Sequence, residues 1–109
     1  MITEDNVDKA LDHLRDNAYG DAQMRAERLY MEQWIKTVLA QEQSKSTATS
    51  IAASEVDARQ SAAYIEALDV YKLAIHKDEE ARFMRSAAET KIEAWRTQCS
   101  NRRAEGKAY

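Results

Sequence analysis

The sequence contains no proline and only two glycines, Gly20 and Gly106. Because proline and glycine are the residues that most readily interrupt helices, their scarcity removes the usual breaks between short elements. No alternating run of β-branched residues bounded by turn residues occurs, so the sequence is poorly suited to a sheet. Alanine, glutamate, lysine, arginine, glutamine and leucine dominate instead, and all of them favour helices. The sequence therefore predicts an all-α protein.

Other absences narrow the class of protein further. The apolar runs are only a few residues long, too short to span a membrane, so no membrane partner is expected. The first residues are acidic and are not followed by an apolar segment, so we expect no secretory signal. The single cysteine, Cys99, excludes an internal disulfide and favours a reducing cytoplasm.

Few residues are suited to catalysis or metal binding. The two histidines, His13 and His76, lack a glutamate three residues earlier, which a helical metal site of the Glu-x-x-His type requires. Cys99 follows Trp95 on an apolar stripe, which favours a buried hydrophobic residue over a nucleophile. Glycine-rich phosphate loops, Cys-x-x-Cys and Gly-x-Ser-x-Gly are absent. We therefore predict no catalytic residues, no metal site, no cofactor and no enzymatic activity.

Residues 1–109 are expected to form one helical domain. Thr3 or Asp5 is a suitable cap for a first helix, which we expect to end near Gly20. The segment 44–50 is rich in serine and threonine, whose hydroxyls compete for backbone hydrogen bonds, and reads as a loop. The predicted elements are helices over about residues 4–18 and 21–43, a loop over about 44–50, a short helix over about 51–60 and a long helix over about 62–104.

On a helical wheel the long C-terminal helix changes its apolar face partway along. An early stripe contains Tyr64, Leu68, Tyr71 and Ile75, and a later one contains Ala81, Met84, Ala88, Ile92, Trp95 and Cys99, rotated by more than about 90°. A helix of this length does not bury two faces on one compact core. We therefore predict an elongated helical hairpin with coiled-coil character that self-associates as a homodimer or higher homo-oligomer. The residues predicted to mediate self-association are Trp34, Tyr64, Leu68, Tyr71, Ile92 and Trp95.

The C-terminal segment is basic although the chain as a whole has a net charge of −3. Three of its arginines lie within about 20° of one another on the wheel, a spacing that could follow a phosphate backbone. The candidate nucleic-acid contacts are Arg82, Arg85, Arg96, Arg102 and Arg103, with Phe83, Trp95 or Tyr109 to stack on bases. The alternative is a solvated face whose arginines pair with acidic residues, and the overall acidity favours it.

Two segments carry a resemblance to a known group of proteins. The stretches Ala22–Lys36 and Glu79–Gln98 resemble small α-helical bacteriophage and prophage proteins of unknown function. Members of that group are often encoded near phage DNA recombination or replication genes. The resemblance implies an accessory role in phage DNA metabolism, in the cytoplasm of an infected bacterial cell. It implies no active site.

These observations leave three hypotheses about function. The first is a non-enzymatic phage protein that self-associates and binds a protein partner in DNA recombination or replication. The second is a direct single-stranded nucleic-acid binder that uses the basic C-terminal helix. The third is a component of virion assembly, which a helical shape permits.

Overall fold

The structure, a computed structural model, describes residues 1–108, and the side chains of residues 1–106. Three helices account for nearly all of this part of the chain: α1 (Glu4–Lys45), α2 (Ile51–Arg59) and α3 (Ala62–Ala108). The described residues contain no strand. The predicted all-α helical hairpin, with two long helices and a short one, is therefore confirmed.

Side-chain capping fixes the start of α1. The backbone N–H of Asn6 donates to Thr3 Oγ1 at 3.1 Å, and the backbone N–H of Thr3 donates to Asn6 Oδ1 at 3.0 Å. Each side chain thus satisfies a backbone donor at the helix terminus, as in a capping box. Glu4 and Asp5 occupy the first turn, where the helix dipole favours negative charge. Of the two predicted caps, Thr3 is the one used.

Serines define the connection between the two long helices. Residues 46–50 have no helical structure, which places the loop two residues later than the predicted start. Ser50 caps α2 by accepting from the backbone N–H of Ala53 at 3.1 Å, and Ser61 caps α3 by accepting from that of Tyr64 at 3.2 Å. Ser46 ties the loop to α2 because its hydroxyl donates to Asp57 at 2.6 Å. The serines of this region therefore cap the starts of α2 and α3 and also hold the loop against α2.

The predicted break near residues 17–21 is wrong, because α1 runs through it as one helix of 42 residues. Gly20 has no positive φ, so it does not act as a left-handed helix cap. A single glycine lowers helix stability by only about 1 kcal/mol relative to alanine, and packing of the helix on either side outweighs that cost.

Gly20→Ala is consequently expected to stabilise the protein by about 0.5–1 kcal/mol, because alanine loses less backbone entropy on folding. A Cβ atom at this position meets nothing within 4 Å, so no steric cost offsets the gain. Urea unfolding followed by circular dichroism measures the difference. A loss of stability would show that the chain needs glycine at this position.

The chain divides into two units, each containing one segment of α1 and one of α3. The hairpin unit is Ala22–Glu79 and includes α2. In this unit Val38, Tyr64 and Ala67 form a buried cluster, against which Ile35 and Leu39 pack. The C-terminal part of α1 therefore lies against the N-terminal part of α3, as an antiparallel pair joined by α2 and its flanking loops.

The terminal unit consists of Met1–Asp21 and the part of α3 that begins at Glu80. Here the side-chain amide of Gln98 donates to the Ile2 carbonyl at 2.8 Å and accepts from the Ile2 N–H at 2.9 Å. Arg85 Nη1 lies 3.2 Å from Asp21 Oδ2. Because residue 2 meets residue 98 and residue 21 meets residue 85, the two helix segments are antiparallel in this unit too.

The buried positions of α3 follow a seven-residue repeat. Ala67, Ala74, Ala81 and Ala88 are each at most 9% exposed. Tyr64 is also buried, and partly buried residues complete an alternating spacing of three and four: Tyr71, Asp78, Arg85, Ile92, Trp95 and Cys99. This spacing is the a/d pattern of a helix that packs along one seam, and alanine at every second position lets the opposing helix approach closely.

The heptad spacing also corrects the prediction that α3 presents two apolar faces. A repeat of 3.5 residues drifts by about 20° per heptad on a wheel drawn for 3.6 residues per turn. Between the middles of the two predicted stripes, about three heptads apart, the drift is about 60°. The rest of the rotation comes from exposed members of the stripes, Leu68 and Met84, which lie on opposite flanks of the inward line. Both stripes contribute to one line of inward positions. The chain therefore has no second apolar face that requires a partner. Support for self-association must come from side chains that remain exposed in the single chain.

Candidate protein interface

Among the large apolar side chains of the hairpin unit that remain exposed are two pairs, each close in sequence, one on each long helix. On α1 they are Tyr30 and Trp34, 62% and 38% exposed, and on α3 they are Val70 and Leu73, 44% and 53% exposed. We call these four residues the aromatic surface. Large apolar side chains grouped on a surface are typical of protein–protein contact sites, and tryptophan and tyrosine are enriched at their centres.

Helix geometry places all four side chains on the same side of the hairpin. Viewed along α1 from its N-terminus, Trp34 and Tyr30 lie about 80° and 120° to one side of the inward direction. Along α3, Val70 and Leu73 lie about 80° and 140° to the same rotational side. Two antiparallel helices are related by a rotation about an axis normal to their common plane, so the same rotational sense means the same side of the pair. The four residues therefore share one surface.

Two contacts fix which residues of the helices lie level with each other. Arg28 Nη1 lies 3.0 Å from Asp78 Oδ2, and Val38 packs with Ala67 in the buried cluster. Between these points residue 32 of α1 lies level with about residues 73 and 74 of α3. The midpoints of the two exposed pairs are residue 32 on α1 and between residues 71 and 72 on α3. The two halves of the aromatic surface therefore lie beside each other with an offset of about two residues, or about 3 Å, along the helices.

An ion-pair group stabilises the antiparallel arrangement beside this surface. Arg28 Nη1 contacts Asp78 at 3.0 Å and Glu79 at 2.9 Å, and the Asp78 side chain is only 13% exposed. Hydrogen bonds to Asp78 and to Glu79 raise the pKa of the Arg28 guanidinium above its ordinary value. Arg28 and Asp78 occupy inward heptad positions, where a polar pair penalises any shift of one helix along the other. The pair therefore holds the aromatic surface in register.

The six residues predicted to mediate self-association do not form one surface. Tyr64 is buried at 7% exposure, and three others are partly buried on the inward line of α3: Tyr71, Ile92 and Trp95. Trp34 and Leu68 remain exposed, at 38% and 41%. Leu68 lies about 160° from Val70 around α3, which puts it on the opposite side of the hairpin from Trp34. Of the six, only Trp34 belongs to the aromatic surface.

The structure does not bring the five candidate arginines together either. Arg85 occupies an inward heptad position and contacts Asp21 at 3.2 Å. Arg96 is exposed but contacts Glu93 at 2.8 Å, and Arg82, Arg102 and Arg103 are exposed. With a period of 3.5 residues Arg85 and Arg96 lie about 50° apart, against about 20° on a wheel of 3.6 residues per turn, so their alignment is weaker than the wheel indicates. Tyr109, a predicted stacking residue, lies outside the described residues.

The histidines and the cysteine are not gathered into a site. Among the described residues no group of three or more histidine, cysteine, aspartate or glutamate side chains is placed to hold a metal ion. His13 Nδ1 lies 3.2 Å from the side-chain nitrogen of Asn17, one helical turn later. Cys99 is a free, partly buried thiol on the inward line of α3.

Three of the four residues of the aromatic surface are absent from the set predicted to mediate self-association: Tyr30, Val70 and Leu73. The sequence signal for Val70 and Leu73 is a second stripe on α3, displaced around the helix from the buried stripe. Residues 66, 70, 73 and 77 are spaced by four, three and four, and lie within about 60° of one another on α3. The alanine heptad from Ala67 to Ala88 identifies the inward face of α3. Once that face is known, the second stripe can be recognised as a separate, exposed one.

Comparison with known proteins adds no further assignment. The chain matches no protein-family model, no curated protein and no solved structure. In the part of the chain that the structure describes, no helix has a segment both long and apolar enough to cross a membrane. The aromatic surface is therefore the feature of the chain from which its function is inferred.

Proposed function

We propose that this chain is a non-enzymatic bacteriophage accessory protein that self-associates and acts through protein–protein contacts in phage DNA recombination or replication. The phage context rests on the resemblance carried by residues 22–36 and 79–98. The mode of action rests on the aromatic surface. A tyrosine and a tryptophan that remain 62% and 38% exposed provide the kind of side chains that supply most of the binding energy at protein interfaces.

The aromatic surface is favoured over the basic C-terminal helix for a specific reason. Nucleic-acid binding needs several cations free to replace counterions along a phosphate backbone. Arg85 and Arg96 are each in an ion pair with a carboxylate of the chain, at 3.2 Å and 2.8 Å. Direct binding of single strands through this helix therefore remains the second hypothesis, and contact with protein is the first.

The proposal predicts that Trp34→Asp weakens self-association on the order of 100-fold, because a buried interface tryptophan is replaced by an unpaired charge. Sedimentation equilibrium over a range of protein concentrations measures the dissociation constant. Tyr30→Asp gives a second test of the same surface at a side chain that is 62% exposed, so its replacement leaves the fold intact.

Leu68→Asp is the matched control for Trp34→Asp. Leu68 is exposed to nearly the same extent, 41% against 38%, but lies on the other side of the hairpin. Its replacement is expected to leave the dissociation constant within about twofold of the unmodified protein. Dissociation by Leu68→Asp together with unchanged association of the Trp34 and Tyr30 variants would assign the contact to the opposite side and refute the proposal.

A further inference from the structure

We propose that the aromatic surface binds a second copy of the same surface around a two-fold axis, so that Glu66 of one copy faces Lys77 of the other. This inference rests on the proposed self-association and specifies its geometry. Its basis is the stripe Glu66, Val70, Leu73 and Lys77 on α3, whose four side chains are all exposed. The stripe consists of an acid, two apolar residues and a base in that order.

The stripe is complementary to itself when it is reversed. Glu66 and Lys77 are equally far from the midpoint between residues 71 and 72, and so are Val70 and Leu73. A second α3 that runs antiparallel across this midpoint therefore sets Val70 against Leu73 and Glu66 against Lys77, twice over. The two charges lie about 16 Å apart along the helix, one beyond each end of the apolar pair. An isologous interface requires this kind of self-complementarity.

The same axis crosses α1 close to its exposed tryptophan. A two-fold axis that lies across both helices, at the midpoint of residues 71 and 72 on α3, passes near residue 34 of α1. It sets Trp34 of one copy against Trp34 of the other, an aromatic pair of the kind that contributes beyond its buried area. The result is a four-helix arrangement in which each helix packs on its own antiparallel copy. The axis defined by the stripe on α3 thus also brings the exposed tryptophan of α1 into the interface.

The opposite side of the hairpin is not self-complementary around a two-fold axis. Its exposed apolar side chains include Leu29, Ile65 and Leu68, 50%, 49% and 41% exposed. However, the exposed Lys72 on that side of α3 lies four residues beyond Leu68. An antiparallel copy centred between Ile65 and Leu68 sets Lys72 against Ser61, so Lys72 gains no partner of opposite charge there. A second copy is therefore expected on the aromatic surface.

Charge reversal at the two ends of the stripe tests the geometry. Glu66→Lys places lysine opposite lysine at both symmetry-related contacts, and Lys77→Glu places glutamate opposite glutamate. Each single variant is expected to weaken self-association about tenfold at low ionic strength. An equimolar mixture of the two single variants restores opposite charges at both contacts, and so does the double variant Glu66→Lys/Lys77→Glu in one chain. Sedimentation equilibrium and circular dichroism of all four samples measure association and folding.

The expected pattern is two weakened single variants, recovery in the mixture and in the double variant, and loss of these differences in about 1 M salt, where charges are screened. Recovery depends on pairing across the interface, so a merely structural role for Glu66 or Lys77 does not produce it. If the unmodified protein dimerises but the single variants associate equally well, the geometry is wrong and the proposed self-association stands. If the unmodified protein does not self-associate, both proposals fail.

Discussion

Replacing Tyr64 by alanine is expected to lower the free energy of unfolding by about 3 kcal/mol, the usual cost of truncating a buried aromatic residue. Tyr64 is only 7% exposed and belongs to the buried cluster with Val38 and Ala67. Its hydroxyl also lies 3.4 Å from Arg59 Nη1, a contact that connects the end of α2 to α3. Urea unfolding at one fixed protein concentration, followed by circular dichroism, measures the loss.

Ile65→Ala provides the matched control. Ile65 is the next residue on α3 and is 49% exposed, so its truncation removes much less buried surface. We expect a loss of about 1 kcal/mol or less. Equal losses for the two variants would mean that Tyr64 is not a core residue of the hairpin unit.

The second large effect is expected from Ala88→Leu, which should destabilise the protein by about 2 kcal/mol through overpacking. Ala88 is 5% exposed and belongs to the alanine heptad of α3, in the terminal unit. A leucine at this position has no space unless the opposing helix segment moves away, because the alanine side chains permit a close approach. Thermal or urea unfolding measures the change.

The neighbouring residue offers the comparison. Ala87 is exposed, and leucine has nearly the same helix propensity as alanine, so Ala87→Leu should change stability by less than about 0.5 kcal/mol. Should Ala88→Leu prove as harmless as Ala87→Leu, the inward direction assigned to the heptad would be incorrect.

Helix content and helix ends were largely predictable from the sequence, because their causes are local. The absence of proline, the cap at Thr3 and the serines at 50 and 61 each act over a few residues. The predicted break near Gly20 was wrong because the low helix propensity of one glycine costs little compared with the packing of a helix of 42 residues. The prediction of two apolar faces on α3 was wrong for a geometric reason. A wheel of 3.6 residues per turn separates positions that a heptad repeat keeps on one seam.

The candidate interface was less predictable than the fold. Trp34 stands out because of its size, whereas Val70 and Leu73 are ordinary apolar residues in a helix with many of them. Telling an inward side chain from an outward one requires the pairing of the two helices, which Arg28 and Asp78 help to set over 50 residues of sequence separation. A single sequence gives no direct sign of such a long-range contact. Once the pairing is known, the exposed stripe and its two end charges follow directly.

The solution mass of the unmodified chain, measured by light scattering from low micromolar to several hundred micromolar protein, shows directly whether two copies associate. If the aromatic surface is covered by a second copy, the mass should rise with concentration toward twice the chain mass of 12.4 kDa. A constant mass of one chain across the whole range, with circular dichroism showing a folded helical protein, would contradict the account.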